Sequence, residues 1–158
     1  MGPGKRSLLL AVAGLALGGA AFSAYTLSRP RPDAADVQVI AHGEEVDLAA
    51  HLARGKYTIV DFYAVWCPPC RVLSPALERL AALLPGDLAI RKVDIVDWTM
   101  PVAAQHGIES LPHLILFDRE GRRLGSGEEV FDVLDRVFGE AAREVTGITA
   151  VERQPQTE

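Results

Sequence analysis

Apolar positions recur with a period of two in some stretches of this chain and with a helical period in others, and the changes of period mark out its elements. Tyr57-Thr-Ile-Val-Asp-Phe-Tyr-Ala64 is β-branched, aromatic and apolar, which predicts a buried strand over 57–64. In the next segment apolar side chains fall at 73, 76, 77, 80, 83 and 84, the stripe of an amphipathic helix predicted over 67–84 and closed by Pro85-Gly86-Asp87. Shorter signals flank this pair. They are a strand over 37–41, a short helix over 46–52 ended by Gly55, a strand over 87–94 and a helix over 100–106 ended by Gly107. Further on come a strand over 113–118, a tight turn at Arg119-Glu-Gly-Arg122 and a strand over 123–126. A final amphipathic helix is predicted over 128–144, with Val130, Phe131, Leu134, Val137 and Phe138 on one face. Strands alternating with helices, followed by a hairpin and a helix, predict an α/β fold with a central mixed sheet flanked by helices on both faces.

The first 28 residues follow a different pattern. Lys5 and Arg6 precede a run from Ser7 to Ser28 without a charge, and an apolar run of about 20 residues is long enough to cross a bilayer as one helix. The basic lead-in keeps that end in the cytoplasm, so residues 1–28 read as an N-terminal membrane anchor. A cleaved signal segment is the alternative, because small residues stand near Ser23. Either reading puts the remainder outside the cytoplasm. The expected location is a bacterial inner membrane with the folded domain on the periplasmic side, or secretion after cleavage. Arg29 to Asp36 is a polar, proline-containing linker, 37–146 the folded domain and 147–158 a flexible tail. With 158 residues, 49% of them hydrophobic, the chain has room for one domain of roughly 100–120 residues beside these segments. Its net charge of −5, without a basic patch, argues against nucleic-acid binding.

The chemistry lies between the strand and the long helix, where Trp66-Cys67-Pro68-Pro69-Cys70 holds the only two cysteines. A strand-to-helix junction offers Cys67 unpaired amide N–H groups and the positive end of the helix dipole, and both favour a thiolate. A loop this short removes little unfolded-chain entropy, so a purely structural disulfide makes poor physical sense and a working redox pair is the better reading. The same two thiolates also suit Cu(I) or zinc, with His113 as a third donor, which leaves a metallochaperone as an alternative. Asp61, inside the apolar strand, is a buried carboxylate that needs a partner or a proton. His42, His51 and His106 show no convergent partners and read as solvated or helix-end residues.

Taken together, Val60-Asp61-Phe62-Tyr63-Ala64, Trp66-Cys67-x-x-Cys70, Lys92-Val93-Asp94 and Gly107-Ile108-x-x-Leu111-Pro112 ahead of the strand 114–117 resemble the thioredoxin superfamily over residues 37–140. With the anchor, the chain is similar to extracytoplasmic thioredoxin-like proteins that reduce disulfides, including those serving cytochrome c maturation. The resemblance implies a thioredoxin fold and a protein-disulfide reductase with no bound cofactor beyond the Cys67–Cys70 disulfide, and with no metal. It implies Cys67 as nucleophile, Cys70 as resolving thiol and Asp61 as the base for Cys70 acting through water, with Lys92 as the partner of Asp61. It also implies that Pro112 is a cis proline presenting the Leu111 backbone to substrate, that Trp66, Pro68 and Pro69 border the substrate, and that Pro75 kinks the long helix. Trp98 has no counterpart in it and reads as core or as part of the apolar surface near Trp66.

The Pro68-Pro69 pair departs from the Gly-Pro of cytosolic thioredoxin and leaves the potential open. The partners expected are protein disulfides and a membrane electron donor, because no nucleotide-binding motif appears, and the chain is expected to be a monomer. A disulfide oxidase or isomerase, and a thioredoxin-fold binding module with idle cysteines, compete with the reductase.

Overall fold

The computed structural model describes residues 35–146. Five strands form one sheet: β1 (Asp36–His42), β2 (Tyr57–Tyr63), β3 (Leu88–Asp94), β4 (His113–Phe117) and β5 (Arg123–Ser126). Their spatial order is β1-β3-β2-β4-β5. β3 runs parallel to both β1 and β2, whereas β4 is antiparallel to β2 and to β5. The helices are α1 (Cys70–Leu83), α2 (Pro101–His106), α3 (Glu129–Phe138) and α4 (Glu140–Thr146). The sheet is therefore mixed and covered on both faces, the thioredoxin arrangement.

β2 is central, and the alternation of its side chains assigns the two faces. Val60 and Phe62 point into a cluster with Val93, Val102, Ala103, Ile108 and both cysteines. Ile59 points the other way, into a cluster with Leu77, Leu80, Ile90, Leu116, Val130 and Leu134. A strand apolar on both faces is what a middle position under two helical layers requires. The α2 helix starts on Pro101, where a missing N–H costs nothing, and stops at Gly107 in the left-handed conformation with φ 64°.

Several expected boundaries shift. Residues 46–52 give only a 3₁₀ turn, Leu48–His51, capped by the Asp47 side chain accepting from the Ala49 amide. β1 begins at Asp36, one residue inside the expected linker. The long helix begins at Cys70 rather than at 67. A residue that precedes proline is pushed away from the α region, and both Cys67 and Pro68 precede one. The predicted helix 128–144 is two helices broken at Gly139, whose φ of 52° and ψ of −119° suit glycine alone. Residues 1–28 and 147–158, expected to be anchor and tail, lie outside the described residues. Among the described residues, no helix is long and apolar enough to cross a membrane.

Candidate active site

Cys67 and Cys70 are joined by a disulfide, with Cα atoms 5.4 Å apart. Cys67 is 3% exposed and Cys70 1%, and both belong to the apolar cluster under the junction. The loop is tied down on both sides of Cys67. Its amide donates to the Ala64 carbonyl at 3.1 Å, and its carbonyl accepts from the Arg71 amide at 3.4 Å. Inside the loop, the Cys70 amide donates to Cys67 Sγ at 3.2 Å. Pro68 and Pro69 have no N–H to add a second donor. Both prolines are exposed beside the disulfide.

Asp61 is fully buried on the α1 side of β2. Ser74, one turn along from Cys70, donates its hydroxyl to Asp61 Oδ2 at 2.6 Å. Oδ1 has no hydrogen-bond partner among the described residues. Burial pushes the Asp61 carboxyl up to about 6; the Ser74 bond and the Lys92 charge pull it back, and the Glu78 charge adds to the rise.

A cavity of about 330 Å³ opens beside this group, lined by Tyr63, Ala64, Cys70, Ser74, Pro75 and Lys92 among others. Cys70 and the hydroxyl partner of Asp61 thus face one space roomy enough for water. Pro75 lies inside α1 and donates no backbone bond to the turn before it.

Lys92 does not pair with Asp61. The two are register neighbours on β3 and β2, but Lys92 Nζ reaches Glu78 Oε1 at 2.6 Å and lies 4.7 Å from the centroid of the Tyr63 ring. A long cationic side chain keeps its head near water, and half-exposed Glu78 allows that where fully buried Asp61 does not. Lys92 therefore acts on Asp61 through its field alone.

The Leu111–Pro112 peptide is cis, and Leu111 packs against the cluster holding both cysteines. His113 follows directly, yet its Nε2 meets Ser126 Oγ on β5 at 2.9 Å, so that nitrogen is engaged away from the thiols. Burial, followed by the Arg123 charge, lowers its pKa. Among the described residues, no group of three or more His, Cys, Asp or Glu side chains is placed to hold a metal.

Trp66 and Trp98 meet at a centroid distance of 5.8 Å, and the Trp66 indole N–H donates to the Val96 carbonyl at 2.5 Å. Two features carry no sequence signal. Buried Asp94 holds exposed His42 at 3.0 Å, and Arg91, buried in β3, donates to Asp36 and to the His51 carbonyl. A charged residue in an alternating strand reads as solvent-facing until the neighbouring chain covers it.

Comparison with known proteins adds the last element. The thioredoxin family model matches residues 39–132. A thioredoxin-like protein of Fusarium culmorum is 36% identical over 106 residues, covering 65% of this chain and 86% of that protein. The thioredoxin of Chlamydia trachomatis is 42% identical over 88 residues, 56% of this chain and 79% of its own length. A Synechocystis protein named as a thiol:disulfide interchange protein TxlA homolog is 29% identical over 142 residues, covering 86% of this chain and 76% of that protein. The sheet order, the buried cysteine pair and these matches agree: the chain belongs to the thioredoxin family, a thiol–disulfide oxidoreductase that acts on protein disulfides through Cys67 and Cys70 and requires no other cofactor.

Proposed function

We propose that this chain is a membrane-tethered reductase of extracytoplasmic protein disulfides, including those in cytochrome c maturation, re-reduced by a membrane electron donor. The observation that carries the direction is the surroundings of the two sulfurs. A strong oxidant of this chemistry owes its potential to a reduced form stabilised by an ionised nucleophile. Here the loop supplies Cys67 Sγ with one amide donor, both cysteines lie in an apolar cluster, and Asp61, on the strand leading to them, is a buried acid. Apolar burial and a buried acid raise the free energy of a thiolate, and a single donor offsets little of that, so the disulfide is favoured as the enzyme's product.

In the forward reaction the Cys67 thiolate attacks one sulfur of the partner disulfide, forming a mixed disulfide and releasing the partner's other sulfur as a thiolate. Cys70 then gives up its proton, attacks Cys67 Sγ, and the partner leaves as a dithiol while the enzyme becomes the disulfide. Asp61 is the acceptor of the Cys70 proton, relayed by water in the cavity that Cys70 and Ser74 line and directed by the Ser74–Asp61 hydrogen bond. The Leu111 backbone at the cis Pro112, with Trp66, Pro68 and Pro69, borders the partner chain.

The tether rests on the uncharged run 7–28 behind Lys5 and Arg6, and the electron donor on the absence of a nucleotide-binding motif from the sequence. Acid-quenched alkylation in cells tests direction and location together. The reading predicts a dithiol at steady state, in the membrane fraction, labelled by a reagent that does not cross the membrane. A disulfide at steady state, or protection from that reagent, overturns it.

A further inference from the structure

Beside Cys67 lies an aromatic surface that the redox step does not use. Trp66 comes from the loop before α1 and Trp98 from the loop between β3 and α2, and their rings are tilted by 58°. Trp66 is 46% exposed and Trp98 48%. The polar atom of Trp66 is already occupied by the Val96 carbonyl, so what it offers a partner is ring surface.

That carbonyl is held with some force. Val96, with φ 58°, is the one non-glycine residue at positive φ among the described residues. A β-branched residue is strained there, and such strain persists only where surrounding bonds impose it. Asp97 N–H returns to the Ile95 carbonyl at 2.6 Å, and the Val96 amide donates to Asp94 Oδ1 at 2.9 Å, which His42 steadies from the other oxygen.

Two half-exposed tryptophans beside a buried disulfide leave apolar surface in water that a partner chain covers at a gain. The occupant follows from continuity. Any partner must bring a sulfur to Cys67, so its chain passes over Trp66, the preceding residue. Around that path Val65, Pro68 and Pro69 are exposed and uncharged.

We propose that Trp98 is a specificity-determining residue: with Trp66 it receives a bulky apolar side chain, aromatic or long aliphatic, next to the reacting cysteine of an extended protein segment. The inference rests on thiol–disulfide exchange at Cys67 but not on the direction of electron flow, since discrimination is the same property of the mixed disulfide in both directions.

The test uses the reduced full-length chain and three peptides with the cysteine flanked by Phe, Ser or Lys, each as a mixed disulfide with a chromogenic thiol. Hydroxyethyl disulfide, too small to reach the pair, reports the chemistry alone. Wild type is expected to favour the Phe peptide over the Ser peptide by about tenfold in kcat/KM, the size of one well-packed aromatic contact. Trp98→Ala should lose most of that ratio and Trp98→Phe should keep most of it, with hydroxyethyl disulfide unchanged in all three proteins. An unchanged Phe/Ser ratio in Trp98→Ala, a parallel loss with hydroxyethyl disulfide, or a preference for the Lys peptide overturns the proposal. A wild type inert even toward hydroxyethyl disulfide removes the exchange reaction itself, and the proposal with it.

Discussion

Asp61 carries both the largest electrostatic cost of this site and, in the proposed mechanism, its base. Its carboxyl titrates at about 6 in the folded chain against an ordinary 3.8, so the folded state binds the proton more tightly than the unfolded one. Stability therefore falls as pH rises through that window, and above it the full cost remains. Two units correspond to on the order of 2–3 kcal/mol. Asp61→Asn should raise the unfolding free energy by that order at pH 7 and by little at pH 3, and urea unfolding at the two pH values checks it. The same substitution should abolish the rise in the Cys70 resolution rate as pH passes about 6, while leaving attack by Cys67 unchanged in single-turnover kinetics. Equal loss in both steps contradicts the base assignment. Cys70→Ser should trap the mixed disulfide and Cys67→Ser should form none, read on a nonreducing gel; normal turnover by Cys70→Ser reverses the roles. The need of Asp61 for company is legible in the sequence, because a carboxylate in an apolar strand is costly wherever it points. Its partner is not, since Ser74 is one small polar residue in an amphipathic helix and only the packing of α1 on β2 brings it within 2.6 Å. The motif singles out Lys92 by its place, whereas its preference for Glu78 depends on where α1 leaves that carboxylate.

At the scale of elements, hydrophobic period locates every strand and misses the helix interruptions. In α3 the buried positions are Val130, Val133 and Leu134, while Val137, expected on that face, is 37% exposed. That face assumes one continuous helix, and the break at Gly139 lets α4 pack separately, with Ala142 in the second cluster. A glycine between two helical patterns is tolerated inside helices often enough that sequence alone does not mark it as a break. At this position the backbone requires it. Gly139→Ala places Cβ no closer than 3.9 Å to the Asp135 carbonyl, so the cost is conformational rather than steric. It should lower stability by about 1–3 kcal/mol, seen as a lower urea midpoint at unchanged slope. The late start of α1 has the same kind of cause: two prolines hold the first turn out of the helix and leave Cys67 one turn ahead of it.

For the molecule as a whole, the pattern of elements gives their order along the chain but not their order across the sheet, since period says nothing about which strands pair. The arrangement β1-β3-β2-β4-β5 is seen only in the folded chain, whereas the sequence implied no more than a central mixed sheet. The cavity beside Cys70 and the Trp66–Trp98 surface are joint products of distant segments, and no single stretch of sequence announces them. The proposed tether makes its own prediction. Removing residues 1–28 should release a soluble domain that still reduces insulin, followed by turbidity after fractionation; membrane retention of that domain contradicts a single anchor. The central claim, that this family member works as a reductase, is tested most directly by the reduction potential of the Cys67–Cys70 pair in the full-length chain, equilibrated against dithiothreitol or glutathione. Apolar surroundings and one amide donor at Cys67 predict a value near −270 mV, roughly that of thioredoxin. A value near about −120 mV would make the disulfide, not the dithiol, the form this chain delivers, and would contradict the account.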